Sequence, residues 1–359
     1  MSKQFDRLKS VIRIPPQLDY DTFEASFVRD FQRQMAGDSP TLTIDFAATR
    51  WADLMEAMCI GVAASQAVNA GKAVTFTLPF DSTESNALKF QTFVQNWYLI
   101  NAWKRAGANV KEEQRDTISS SRLLPVMDLA STPLSALTQE LRSRLKFYFP
   151  ELPAAQVESL VDAIVFESAE NAIIHAYDEP SLGRSVCRIA SVRRVQAKAK
   201  TRENDYRSFW IRSLQHRYPD TDFLEISVVD GGVGIYRRLH SSHVRHLQRL
   251  VPYRDLLTAE TSEAKCLLWA LSEQRSTHLS GPRRGFGLYR ILSHAVDGWA
   301  GAFYVRSGGT RIVYLPDSEP AVDSVPPFPG TQIRVFLPLH NRQGYIGEVN
   351  VRLAKAQES

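Results

Sequence analysis

The chain has 359 residues, a formal net charge of +4 and 44% hydrophobic residues. It is long enough for about two domains with substantial cores, and too apolar for a disordered chain. The small charge gives no global demand for nucleic acid or a membrane surface. The three cysteines, Cys59, Cys187 and Cys266, are far apart with no CxxC spacing, which argues against a zinc site or a disulfide framework.

The N-terminal segment MSKQFDRLKSVIRI lacks the long apolar core of a signal peptide, and the most apolar stretch, 57–73, carries Ser, Gln, Asn and Lys. The expectation is a cytoplasmic protein with no membrane span. Strands are expected at Val11, Leu42 (LTIDF) and Val74 (VTFTLP). Helices are expected at 22–35, 51–70 and 85–105, and LLPVMDL at Leu123 closes the series as a strand. Strand–helix alternation at this spacing predicts a small α/β domain over 1–130. A helix is expected from Pro133 to about Phe149, and a longer one from about Ala154 to Tyr177, separated by Pro150 and Pro153. Further strands are expected at 185–195, 223–229, 301–305, 311–315 and 331–337. The proline-rich PDSEPAVDSVPPFPG is expected to be a loop, and 341–359 a peripheral tail.

Three motifs in the second part carry chemistry. In FESAENAIIHAY, Glu167 and Asn171 are four apart on one helix face, with His175 a turn further. An amide oxygen there can ligate magnesium and a carboxylate can orient water; an ordinary amphipathic helix gives the same pattern. In EISVVDGGVGI, an apolar strand ends in Asp230 with Gly231, Gly232 and Gly234 behind it. The carboxylate suits an exocyclic amine and the glycines permit close approach, although Asp-Gly turns after strands are common. In GPRRGFGLYRILSHAV, Gly285 and Gly287 open a helical run after Arg283 and Arg284, a pattern that can present backbone N–H groups and guanidinium groups to phosphate. The Lys-Ser/Thr of a P-loop is absent.

In this order the motifs resemble the three sequence boxes of the GHKL superfamily of gyrase, heat-shock chaperone, histidine kinase and MutL ATPases, over roughly 133–339. The resemblance implies an α+β two-layer sandwich of the histidine-kinase-like type over 131–340, ATP as ligand and magnesium as cofactor. It implies that Asn171 ligates the metal, that Glu167 is the general base where ATP is hydrolysed, and that Asp230 accepts from the adenine amine. Gly232 and Gly234 would let the base approach. Gly285, Gly287 and Leu288, with Arg283 and Arg284, would bind phosphate. Thr331 in PGTQIRVFLPL would help to hold adenine, and 236–284 would form the ATP lid.

NAIIHAYDEP is similar to the bacterial anti-sigma-factor serine kinases, while FESAENAI is similar to the hydrolysing gyrase and MutL branches. The segment from Pro133 to Pro150 has no histidine, which disfavours histidine autophosphorylation. The N-terminal part resembles a STAS domain, with Leu54 and Met55 at the positions expected for serine, so a docking or structural role follows rather than a phosphorylation switch. A basic stretch from Arg193 to Arg217, interleaved with Tyr206, Phe209 and Trp210, would suit either nucleic acid or a solvated helical hairpin. His240, His243 and His246 have helical spacing, but no acidic or cysteine partner. Three functions stay open: an ATPase gating a lid or a protein partner, a protein serine/threonine kinase in a partner switch, and a non-catalytic nucleotide-gated binding module.

Overall fold

The computed structural model describes residues 9–79, 85–111, 122–175, 187–195, 209–240, 262–272 and 287–339. It is a mixed α/β structure with one parallel sheet and a separate antiparallel sheet.

The first sheet is built by β1 (Lys9–Arg13), β3 (Thr41–Asp45), β5 (Ala73–Thr77) and β6 (Asn109–Lys111), all parallel and in sequential order. Two-residue strands β2 (Gln17–Leu18) and β4 (Trp51–Ala52) pair beside it. The connections are helices: α1 over 20–36, α2 (Leu54–Asn69), and the pair α3 (Ser85–Asn96) and α4 (Leu99–Arg105). Asp19 and Thr22 form a capping box that starts α1, and the Asp53 carboxylate accepts from Leu54 N at 2.8 Å to start α2. The single helix expected over 85–105 is broken, because Tyr98 takes a left-handed conformation (φ 56°) and turns the chain.

The second sheet has the order β10-β11-β9-β8-β7. Its strands are β7 (Arg122–Asp128), β8 (Arg188–Val195), β9 (Phe223–Asp230), β10 (Ala302–Tyr314) and β11 (Ala321–Pro338). Helix α5 is Leu134–Tyr148, α6 runs over 154–175 with a π-helical middle at Ser159–Phe166, and α7 is Phe209–Arg217. Then come α8 (Gly234–His240), α9 (Glu263–Ala270) and α10 over 287–298.

Two expectations are corrected. The strand at Leu123 does not close the parallel sheet. It pairs antiparallel with β8 at the edge of the second one, where a register shift between Leu124 and Met127 takes up Pro125. The proline-rich segment is a loop only over 316–320; its remainder, 321–330, is the first half of β11. Register shifts opposite Ser307–Thr310 leave Pro326, Pro327 and Pro329 out of the ladder, where a missing N–H costs no pairing.

Alternation decides what covers the second sheet. Leu224, Ile226 and Val228 of β9, with Phe303, Val305, Ile333 and Val335, share a core with α5, α6 and α10. The intervening residues on the other face mix Arg193, Glu225, Ser227, Arg306, Gln332 and Arg334 with apolar Ile189, Val229, Tyr304 and Phe336, which join the core of the first sheet. That face is nevertheless covered by the N-terminal helices. Helix α1 touches β1 and β11, and α2 touches β5 and β9. Helix α2 is accordingly apolar nearly all round, with Met58, Ile60, Val62 and Ala64 fully buried. At Gly61, a side chain would strike Trp103, which stacks on Phe76 and Phe46 beneath.

Buried charges on this face are paired across the junction. Arg334 reaches Asp53 at 2.7 Å, Glu225 at 2.8 Å and Glu56 at 3.6 Å. Arg193 reaches Asp53 at 2.8 Å and also pairs with Glu225. Arg306 pairs with Glu24 of α1. Burial, reinforced by the Asp53 charge, pushes the Glu56 carboxyl up to about 8. The cluster thus sets two guanidinium groups against the carboxylates of Asp53 and Glu225, with Glu56 uncharged at neutral pH.

Arg334→Met leaves buried carboxylates without their counter-charge and should cost about 3–5 kcal/mol in denaturant unfolding. Glu56 behaves oppositely. Its folded pKa lies above the ordinary glutamate value of 4.5, so its stabilising contribution is lost as pH climbs from about 4.5 to 8. Glu56→Gln should therefore raise the unfolding midpoint at pH 8 and leave it unchanged at pH 4.

Candidate functional site

One cavity opens between α6, the ends of β9 and β11, and helices α8, α9 and α10. It encloses about 760 Å³ outside the atoms, part of it open to solvent. Six of the residues singled out from sequence line it: Asn171, Asp230, Gly234, Gly287, Leu288 and Thr331. They come from four stretches of chain far apart in sequence.

Asp230 ends β9 almost fully buried. Its carboxylate accepts from Gly232 N at 2.8 Å and from the Thr331 backbone, so the turn expected after the strand is tied to β11. Burial outweighs these hydrogen bonds and the nearby Arg188, and pushes its pKa up to about 7. Gly330 (φ 70°) passes so close that any side chain there would overlap the Asp230 backbone and carboxylate. Gly234 (φ 76°) starts α8, and a methyl there would lie 2.9 Å from the Ser307 hydroxyl, which accepts from Ile235 N at 2.7 Å. Gly232 is buried in the turn but does not line the cavity.

Asn171 sits against the start of α10. A Cβ at Gly287 would meet its amide at 3.1 Å, so the glycine lets the two helices approach. The Asn171 Nδ2 is buried without a hydrogen-bond partner, and so is the hydroxyl of Ser168, which also lines the cavity. Glu167 is placed differently. It is absent from the lining, and its carboxylate accepts from Arg290 Nη1 of α10 at 2.7 Å. On the same helix pair, Ser159 and His294 Nδ1 are 2.8 Å apart, and burial next to Arg290 lowers the His294 pKa to about 4.

Arg283, Arg284 and Gly285 lie outside the described residues, as do most of 236–284, His243 and His246, and the side chain of His175. Within the expected lid, α9 is described and is anchored. Ser262 caps it, and Glu263 accepts from Gly309 N at 2.6 Å on the bulge of β10. Its Trp269 and Ala270 form one wall of the cavity, and Leu239 and Arg238 of α8 form the adjoining part. Burial lowers the Arg238 pKa. Sequence reading missed Ser168, Arg238 and Trp269. The first was legible, since it shares a helical face with Asn171 and Ala172; the other two depend on how α8 and α9 pack. Asp230 and Arg238 are the charged residues among the described lining.

Within the described part of the basic stretch, Arg193 lies in the buried cluster, Arg194 pairs with Asp222 at 2.5 Å and Arg217 with Asp317 at 2.5 Å, while Arg212 is exposed. His240 Nδ1 lies 2.8 Å from Tyr236 O. Among the described residues no group of three His, Cys, Asp or Glu side chains could hold a metal ion, and no helix is long and apolar enough to cross a membrane.

A scan against models of known protein families, a search among curated proteins and a search among solved structures each found no match.

Asp230 yields a stability test independent of any ligand. Its pKa is raised from the ordinary aspartate value of 3.8 to about 7, so the fold loses stability as pH rises between those values. Asp230→Asn should melt above the parent protein at pH 8 and with it at pH 4, as followed by circular dichroism.

Proposed function

We propose that the protein binds ATP with magnesium in this cavity, as the resemblance to the GHKL ATPases implies, and couples hydrolysis to rearrangement of the segment over 236–284. The observation that carries the reading is the convergence of Asn171, Asp230, Gly234, Gly287, Leu288 and Thr331 on one cavity. The cavity chemistry fits a nucleotide. Asp230 is a buried acceptor for an exocyclic amine, Val228, Leu288 and Ile333 are apolar walls for a base, and Arg238 is a cation for phosphate. The unpartnered Asn171 amide fits the remaining need, since its oxygen can ligate magnesium while its nitrogen donates to a phosphate oxygen. Bound magnesium would neutralise phosphate charge.

In this reading Asp230 orients the base, Gly234 and Gly330 keep the backbone close to it, and Trp269 shields it from water. Glu167 is the general base, and to reach a water it must exchange its contact with Arg290. That ion pair favours a second reading, a nucleotide-gated binding module in which Glu167 and Arg290 serve as a structural brace. A STAS-like docking role for the N-terminal part accords with both.

Calorimetry with Mg-ATP, paired with a phosphate-release assay, separates these. The parent protein should bind, and Asp230→Asn should bind at least about tenfold more weakly, a loss of about 1.4 kcal/mol. Glu167→Ala should bind normally without turnover. No binding by the parent protein, or unchanged affinity in Asp230→Asn, overturns the nucleotide reading. Binding without turnover in the parent protein leaves the binding-module reading.

A further inference from the structure

The Ser168 hydroxyl is buried, lines the cavity and has no hydrogen-bond partner. A serine inside a helix ordinarily returns its hydroxyl to the carbonyl four residues back. Here that carbonyl, Ile164 O, takes the Glu167 N–H where the π-helical turn ends. Ser168 lies three and four residues before Asn171 and Ala172, so one helical face presents all three to the cavity. A buried hydroxyl with no partner is a standing cost to the fold, which a ligand group placed against it would remove.

The cavity defines which group that is. In its ionised form Asp230 only accepts, so it is then satisfied by any exocyclic amine, including those of cytosine and guanine. It does not test the atom beside the amine. A hydroxyl can donate there, and adenine offers ring nitrogens on both sides of its amine. The apolar walls at Val228 and Ile333 keep competing water away from such a bond.

We propose that Ser168 is a specificity-determining residue of the nucleotide site, donating its hydroxyl to a ring nitrogen of the base beside the amine that Asp230 accepts. This rests on the adenine reading of the cavity. The full chain, Ser168→Ala and Ser168→Thr are titrated in the calorimeter with the magnesium complexes of ATP, 1-deaza-ATP and 7-deaza-ATP. Ser168→Ala should bind ATP about tenfold more weakly, Ser168→Thr should retain most of the affinity, and the unliganded Ser168→Ala protein should melt at or above the parent temperature. One of the two deaza analogues should bind the parent about tenfold more weakly than ATP, and should bind Ser168→Ala as well as ATP does.

If Ser168→Ala binds ATP like the parent, or if both analogues lose as much on the variant as on the parent, the assignment is overturned. A clear drop in melting temperature for unliganded Ser168→Ala also overturns it, because the hydroxyl then serves the fold. An unchanged Ser168→Ala alongside a weakened Asp230→Asn removes this inference and leaves the adenine reading. A parent protein that binds no adenine nucleotide removes both.

Discussion

The second face of the antiparallel sheet governs the architecture. Strands β8, β9, β10 and β11 alternate, and on one side the alternation presents Arg193, Glu225, Arg306 and Arg334 where an ordinary sandwich would meet water. Helices α1 and α2 close over that face instead. The arginines there are matched by Asp53 and Glu24 from the covering layer and by Glu225 of the sheet itself, while the neutral carboxyl of Glu56 lies beside Arg334. Replacing such a cluster with well-packed apolar groups is often neutral for stability. Its contribution is to fix how the layers sit, because a shift of α2 along the sheet would strand several ions at once.

The same strands deliver the site. Strand β9 carries Glu225 in the buried cluster and Asp230 at the mouth of the cavity; β11 carries Arg334 in one and Thr331 in the other. Helix α2 also reaches the back of the Asp230 turn. Val62 packs against Gly231, and Gln66 Nε2 lies 3.4 Å from its carbonyl oxygen. The turn that holds Asp230 is therefore buttressed from the parallel-sheet side and pinned to β11 from the other. Such fixed acceptors suit recognition, because little reorganisation is needed when a ligand arrives.

Much of this was legible from residue pattern. The strand–helix alternation of the first hundred residues predicted a small α/β domain, and the structure makes its strands a parallel sheet because each connection is long enough for a crossover. The glycines and carboxylate at the end of β9 predicted a turn with an acceptor beside close-approaching backbone; its burial came from the packing of β11. The sequence was less informative where tertiary pairing overrides local preference. Pro326, Pro327 and Pro329 read as a loop, yet β10 holds them in a strand by letting the register slip. LLPVMDL reads as one more strand of the first series, yet it pairs antiparallel with β8 at the edge of the second sheet, where a register shift leaves Pro125 out of the ladder. Glu167 and Asn171 share a helical face by spacing, but the arrival of Arg290 from α10 draws Glu167 out of the cavity, and no local signal foretells that. Arg238 and Trp269 were invisible because they meet only when α8 and α9 pack together.

The cover over the charged face also bears on how such a chain could be reshuffled by evolution. A β-sandwich with a wettable second face can be lifted out and fused elsewhere. Here the cavity-bearing half would expose its arginines and Glu225 if α1 and α2 were taken away, and α2 is itself apolar nearly all round. Recombination that separates the halves would leave one with buried arginines lacking Asp53 and Glu24 and the other with a largely apolar helix uncovered. Variation in such a lineage would accumulate in the loops and the helices around the cavity, while the two halves travel together as one heritable unit.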